Sequence, residues 1–266
     1  MVRLIAVCSL LIGASGLLAA CGTSSHAGST TAAHAAATTG ARTNPTAKAP
    51  AGVDSLRTKQ EAIAFARAVN LRAGDVPGFI VSSEHKHEHA TPAEKRRERE
   101  MLRCAGGPSS SEGLAEAGSP EFKLEHDGLA VSVSSSVSVA RTSAAAAKEL
   151  MAIRSAHARA CVSRYFDLLF KGKAFHGAHV SPFSIATGTP PAPGTTGSFG
   201  WRISATISTT VSTRRIAIPF YLDILGFVYR QANVSLLSFD VARPFPAAIQ
   251  QRLFLLLLER AKRHGA

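Results

Sequence analysis

The chain has 266 residues, 45% of them hydrophobic, and a formal net charge of +12. This length fits one domain with appendages. A domain of about 200 residues buries about 70% of its unfolded surface, which is enough for one core. Beyond the N-terminal segment no apolar run approaches the roughly 20 residues of a membrane-spanning helix, which excludes a protein with several such helices.

The N-terminal segment has the features of an export signal. Arg3 gives a short positive region, and residues 4–18 are apolar but too few for a permanent membrane helix. The segment ends in "LAAC", which resembles the bacterial lipobox and implies that residues 1–20 are a lipoprotein signal peptide and that Cys21 is lipidated. Two acyl chains hold a protein stably, so we expect it on the outer face of the cell membrane. An ordinary secretory signal cut nearby is the alternative, and it would also export the protein.

A spacer follows the lipidated cysteine. Residues 21–57 are rich in Ala, Thr, Ser and Pro with almost no large apolar side chain, which predicts a disordered linker before a single α/β domain at 58–266. Basic charge on such a tethered domain favours anionic lipid headgroups or cell-wall polymers as partners over nucleic acid.

The cysteines divide into two groups. Cys8 leaves with the signal peptide and Cys21 is lipidated, so Cys104 and Cys161 remain in the domain. Two cysteines in an exported domain predict a disulfide. The alternative is a pair of metal ligands, which the lack of a CxxC or Cys/His pairing with zinc spacing disfavours.

Two capped helices are predicted in the first part of the domain. Thr58 and Glu61 have capping-box spacing before a helix that stops ahead of Gly74, and Thr91 caps a second helix, "PAEKRREREMLRC", that ends at Cys104. Phe79 to Val81 predict an edge strand between them.

The edge strand leads into the sequence "EHKHEH". On extended backbone His85, His87 and His89 would share one face, where imidazoles can chelate zinc or copper. His176 and His179 are distant residues that could complete such a site. The alternative is a solvated loop, and no cofactor is predicted.

The sequence of the second part of the domain predicts a hairpin, a long helix, a loop, three strands and a final helix. The hairpin turns at Asp127-Gly128, Ser143 caps the long helix, residues 171–198 form the loop, and Pro246 opens the last helix. The fold class is therefore α+β, an antiparallel sheet of about five strands packed with helices, sandwich-like, with one disulfide.

This layout resembles a known family. The segments "SVSVARTSAAAAKEL", "HARACVSRY" and "YLDILGFVYRQANVSLLSF", within residues 120–262, are similar to exported actinobacterial lipoproteins of the PsbP-like type and to extracellular sensor domains of bacterial Ser/Thr kinases. The resemblance implies an α/β sandwich with a cleft that binds a lipidic or cell-wall ligand, or a partner protein. The sensor domains hold two disulfides, whereas this chain can hold one.

Two strands carry uncharged hydroxyl faces that predict a ligand groove. Serines alternate with valines at 132–138, and Ser and Thr alternate with apolar residues at 204–210. The groove candidates are Ser134, Ser136, Thr206 and Ser208, with Trp201 and Tyr221 as apolar platforms. The alternative is that these faces lie under a helix or form a plain polar surface.

These patterns favour a binding protein. We expect a membrane-anchored lipoprotein whose extracytoplasmic domain binds an envelope lipid, glycolipid or cell-wall component, or a partner protein. We do not expect an enzyme, because the chain has no G-x-S-x-G, H-E-x-x-H or P-loop motif. The alternatives are an envelope hydrolase and a lipoprotein that binds metal through the histidine cluster.

Overall fold

A computed structural model describes residue 56 and residues 58–82, 92–106, 113–126, 129–170, 178–211 and 214–265. Within these residues the chain forms five α-helices and one antiparallel sheet of nine strands. The helices are α1 (Lys59–Val69), α2 (Pro92–Cys104), α3 (Ser143–Arg154), α4 (Ala156–Phe170) and α5 (Ala247–His264). The strands are β1 (Ile80–Val81), β2 (Gly113–Gly118), β3 (Phe122–His126), β4 (Leu129–Ala140), β5 (Ala178–Val180), β6 (Ser184–Gly188), β7 (Gly197–Val211), β8 (Arg214–Tyr229) and β9 (Ala232–Val241).

The sheet has the strand order β1-β3-β4-β9-β8-β7-β5, with β2 paired to β4 and β6 paired to β7. Each of the long strands β4 and β7 therefore binds two short strands along one edge. The α+β class is confirmed. The count of about five strands is wrong, because short edge strands such as β2, β5 and β6 are added to the predicted hairpin and to the three predicted strands that follow the loop.

Helices cover both faces of the sheet. On the face called the α1/α5 face, α1 packs on β2 and β4, and α5 packs on β8 and β9. On the face called the α3/α4 face, α3 packs on β4, β7, β8 and β9, while α4 packs against α3 and α2. An apolar cluster lies on each side of the sheet. The molecule thus has three layers, since alternate residues of the central strands feed the two clusters.

The helix ends follow the capping rules. The Thr58 hydroxyl accepts from the Glu61 N–H at 3.2 Å and the Glu61 carboxylate accepts from the Thr58 N–H at 2.9 Å, which confirms the capping box of α1. The predicted long helix is two helices, because Ser155 has extended backbone between α3 and α4. Its cap is Thr142 and not Ser143. Among the described helices, none has the length and apolar character needed to cross a membrane.

Polar contacts fix two peripheral segments. The Gln231 amide donates to the Leu56 carbonyl at 3.1 Å and accepts from the Leu56 N–H at 3.0 Å, as a paired strand would. Arg260 of α5 donates to both carboxylate oxygens of Asp75 at 2.7 Å. These contacts join segments far apart in the sequence to the end of the sheet and to α5.

Candidate functional site

One part of the α1/α5 face is polar. Alternate residues of β7 (Arg202, Ser204, Thr206 and Ser208) point to this side together with Tyr221 of β8, as the cross-strand pairing of β7 and β8 requires. We call these five residues the polar face. In the described part of the chain, no β7 residue belongs to the apolar cluster beneath α1 and α5. Arg202, Ser204, Thr206 and Tyr221 are half-buried, whereas Ser208 is buried.

A buried carboxylate anchors the inner edge of the polar face. Arg202 donates to the two oxygens of Asp223 at 2.7 and 2.9 Å, and Asp223 is only 2% exposed. The Gln250 amide of α5 donates to Asp223 at 3.1 Å and to the Ser238 hydroxyl at 2.7 Å. The bidentate pairing holds the guanidinium in one orientation.

This pairing also fixes the charge of Arg202. Its hydrogen bond to Asp223 raises the pKa of Arg202, partial burial opposes that rise, and the Coulomb attraction of Asp223 adds to it. The guanidinium side chain is 42% exposed, so it presents a permanent cation at the surface. A cation held rigidly and half-open to solvent can bind hydroxyl or anionic oxygens of a ligand.

Asp240 lies beside the polar face. Ser204, Tyr221 and Asp240 occupy one row across β7, β8 and β9. Asp240 is 2% exposed, and burial raises its pKa, although the charge of Arg243 and the N–H of Val241 lower it in part. A buried carboxyl with a raised pKa, next to a half-buried polar row, is typical of a functional site.

Asp240→Asn is expected to leave the domain as stable as the wild type or more stable at neutral pH. An acid whose folded pKa is raised costs stability when it ionises, so the wild type gains stability as the pH falls through the folded pKa, whereas the amide does not titrate. Urea unfolding over a series of pH values measures both proteins. A variant that is less stable at neutral pH would show that the carboxylate is stabilising there.

Half of the predicted groove lies on the other side of the sheet. Across the sheet Trp201 is paired with Ile224 of β8, Ile224 with Leu237 of β9, and Leu237 with Ser134 of β4. Side chains of directly paired residues point to the same side of a sheet, so Trp201 and Ser134 both lie on the α3/α4 face. Trp201 and Ser136 are each 4% exposed. Trp201 and Ser136 are buried there and Ser134 is half-buried, so the six candidates do not line one groove. Tyr221, Thr206 and Ser208 remain together on the polar face.

The two cysteines of the domain are bonded to each other. Cys104 and Cys161 form a disulfide with a Cα–Cα distance of 5.8 Å, as predicted. Cys21 and His85, His87 and His89 lie outside the described residues, as does His176. His179 lies exposed in β5 opposite Ser208.

Several residues of the site were not predicted from the sequence. Asp223 was the clearest missed signal, because a carboxylate in the otherwise apolar "YLDIL" needs a buried partner. Arg202 and Gln250 supply the hydrogen bonds, but they lie 21 and 27 residues away in the chain. No family model, curated protein or solved structure matches this chain.

Proposed function

We propose that this chain is a membrane-anchored lipoprotein of the bacterial envelope whose exported domain binds a polyhydroxylated envelope ligand, either a cell-wall glycan or the sugar headgroup of a glycolipid. The observation that carries the proposal is the polar face: the half-buried hydroxyls of Ser204 and Thr206, one aromatic ring and one fixed cation, where the described β7 residues lie outside the apolar cluster beneath α1 and α5.

The chemistry of the polar face suits sugars. Sugar hydroxyls both donate and accept hydrogen bonds, and so do the half-buried hydroxyls of Ser204 and Thr206. The Tyr221 ring offers an apolar surface of the kind that packs against the C–H face of a sugar, with its own hydroxyl at the edge. Arg202, held by Asp223, adds a directional donor. The ligand would thus lie along β7.

An open surface favours a headgroup or polymer over an enclosed acyl chain. A shallow cleft lies at the other end of the sheet, lined by Leu56, Phe65 and Tyr229 among others, and even its total empty space of about 190 Å³ includes space open to solvent. Pockets that enclose small organic ligands begin at about 300 Å³. This cleft is too small for a lipid tail, whereas the polar face sets no limit on the length of a ligand.

Tyr221→Ala is expected to weaken binding to cell-wall glycan by about tenfold, the change that about 1.4 kcal/mol produces. The chain from Gly22 onward, which keeps every described residue, is sedimented with purified peptidoglycan and, separately, floated with vesicles that contain glycolipid. Binding to sacculi assigns a wall polymer, and binding to vesicles assigns a headgroup. No binding to either material would overturn the proposal.

A pair of lysine substitutions tests the location of the site. Thr206→Lys places a long cation on the polar face and is expected to reduce binding as Tyr221→Ala does. Thr187→Lys is the matched control, since Thr187 is exposed on β6 and pairs with Trp201, on the opposite side of the sheet. Equal losses for both lysine variants would place binding elsewhere.

The anchor is tested separately. Cys21→Ser is expected to remove the protein from the membrane fraction and to abolish its labelling by an alkyne fatty acid, because the thiol that accepts the diacylglyceryl group is lost. Cys8→Ala, within the apolar segment, is the control that should retain both. Continued labelling and membrane fractionation of Cys21→Ser would contradict the anchor.

A further inference from the structure

A third metal-type ligand lies beside the disulfide. Cys104 ends α2, Cys161 lies in α4, and His157 precedes Cys161 by one helical turn. The two sulfurs and an imidazole nitrogen of His157 all lie within 4.8 Å of one another. Cys104 and His157 are exposed and Cys161 is buried, so the cluster opens to solvent on one side.

The cluster lies within reach of the geometry of a zinc site. Tetrahedral zinc with bonds of about 2.3 Å to sulfur and about 2.0 Å to nitrogen needs ligand atoms about 3.5–3.8 Å apart. His157 and Cys161 have i,i+4 spacing, which puts both side chains on one face of α4. After reduction the sulfurs need only separate to that distance, and the exposed side leaves a fourth position for water. His157 was not among the residues predicted to bind metal.

We propose that the dithiol form of Cys104 and Cys161 binds Zn²⁺ together with His157, and that the disulfide is the metal-free form of the same site. A dithiol reductant supplies the two electrons. Its thiolate attacks the exposed Cys104 sulfur, the Cys161 thiolate leaves, and the second thiol of the reductant then releases Cys104 as it closes its own disulfide. Zn²⁺ then binds two thiolates and a neutral imidazole, and the two cysteine protons go to solvent.

Cobalt is the probe for this site. The chain from Gly22 onward, which lacks Cys8 and Cys21, is reduced with a phosphine under anaerobic conditions and titrated with Co²⁺. The reduced chain is expected to bind one Co²⁺ with sulfur-to-cobalt charge-transfer absorption, and the oxidised chain is expected to show none. Equal uptake without that absorption in both forms would place the metal on groups other than the two thiolates, of which His85, His87 and His89 are candidates, and would overturn the proposal.

His157→Ala tests the imidazole. In the reduced state this variant is expected to bind Co²⁺ at least about tenfold more weakly, since loss of even a supporting residue costs 10- to 100-fold. His264→Ala, exposed at the end of α5, is the matched control. An unchanged affinity for His157→Ala would overturn the proposal.

Circular dichroism tests the proposal if the chain unfolds when its disulfide is reduced. If the reduced chain unfolds, Zn²⁺ is expected to restore the far-UV circular dichroism of the folded domain in the wild type and not in His157→Ala. The reason is that an ion that binds only the folded chain adds its binding free energy to the free energy of folding. Failure of Zn²⁺ to refold the wild type would then overturn the proposal. In the oxidised state His157→Ala should fold as the wild type does.

Discussion

Gly226→Ala is expected to lower the free energy of unfolding by about 3 kcal/mol, the upper part of the range for overpacked cores. Gly226 lies in β8 directly opposite Phe199 of β7, and a Cβ there would overlap the Phe199 ring. It would also lie 2.9 Å from the carbonyl oxygen of Val234, which cannot move without disturbing β9. Phe199 is 3% exposed, so its ring has little room to turn away.

Chemical denaturation of Gly226→Ala and Gly188→Ala tests this expectation. Gly188 is the matched control, because it lies in a strand of the same sheet and a Cβ there meets nothing within 4 Å. In a Phe199→Leu background the cost of Gly226→Ala should fall by about 1 kcal/mol or more, as expected for residues in contact. A loss below about 1 kcal/mol for Gly226→Ala, or no coupling to Phe199, would show that the core adapts easily.

The elements that were predicted well have strong local signals. The capping box at Thr58 specifies where α1 begins, and the Ser/Val alternation of β4 specifies a strand with two different faces. Similar alternation runs through β7, and Pro246 immediately precedes α5. In each case the information lies within a few residues of the element, so no knowledge of the rest of the fold is needed.

The elements that were missed depend on their neighbours. Strands β5 and β6 have three and five residues, within a segment rich in Gly, Pro and Thr that was interpreted as a loop. They are strands because β7 offers its edge to them along almost its whole length. The break at Ser155 was missed for a related reason: a serine within a helical pattern either stays helical or caps a new helix, and here its hydroxyl accepts from the Ala158 N–H at 3.0 Å.

The division of the predicted groove has a simple geometric cause. Alternation within one strand tells which residues share a side, but it does not tell which side of the sheet that is. Ser134 of β4 and Trp201 of β7 come to one side only through the register of β8 and β9 between them. Thus Ser134 and Ser136 of β4 lie on the α3/α4 face, while Ser204, Thr206 and Ser208 of β7 lie on the polar face. Sequence could predict both rows and could not assign them to faces.

Replacing Cys104 and Cys161 together by serine is expected to lower the free energy of unfolding by about 4 kcal/mol. The disulfide closes a loop with a sequence separation of 57 residues, and the chain-entropy estimate for a loop of that length is about 4 kcal/mol. Helix α2 should lose the most protection from amide hydrogen exchange. It joins the core cluster through two buried apolar residues, Met101 in its last turn and Ala105 just after its end. Urea unfolding and amide hydrogen exchange measure the two effects.

The reductant supplies the internal control for this prediction. In a metal-free phosphine solution the wild type should lose the same free energy as the double serine variant, which itself should not respond to the reductant. Adding Zn²⁺ should return part of the lost stability to the reduced wild type and none to the variant, because only the wild type keeps both thiolates beside His157. A loss below about 1 kcal/mol would mean that packing of α2 against α4 already orders the helix without the covalent link.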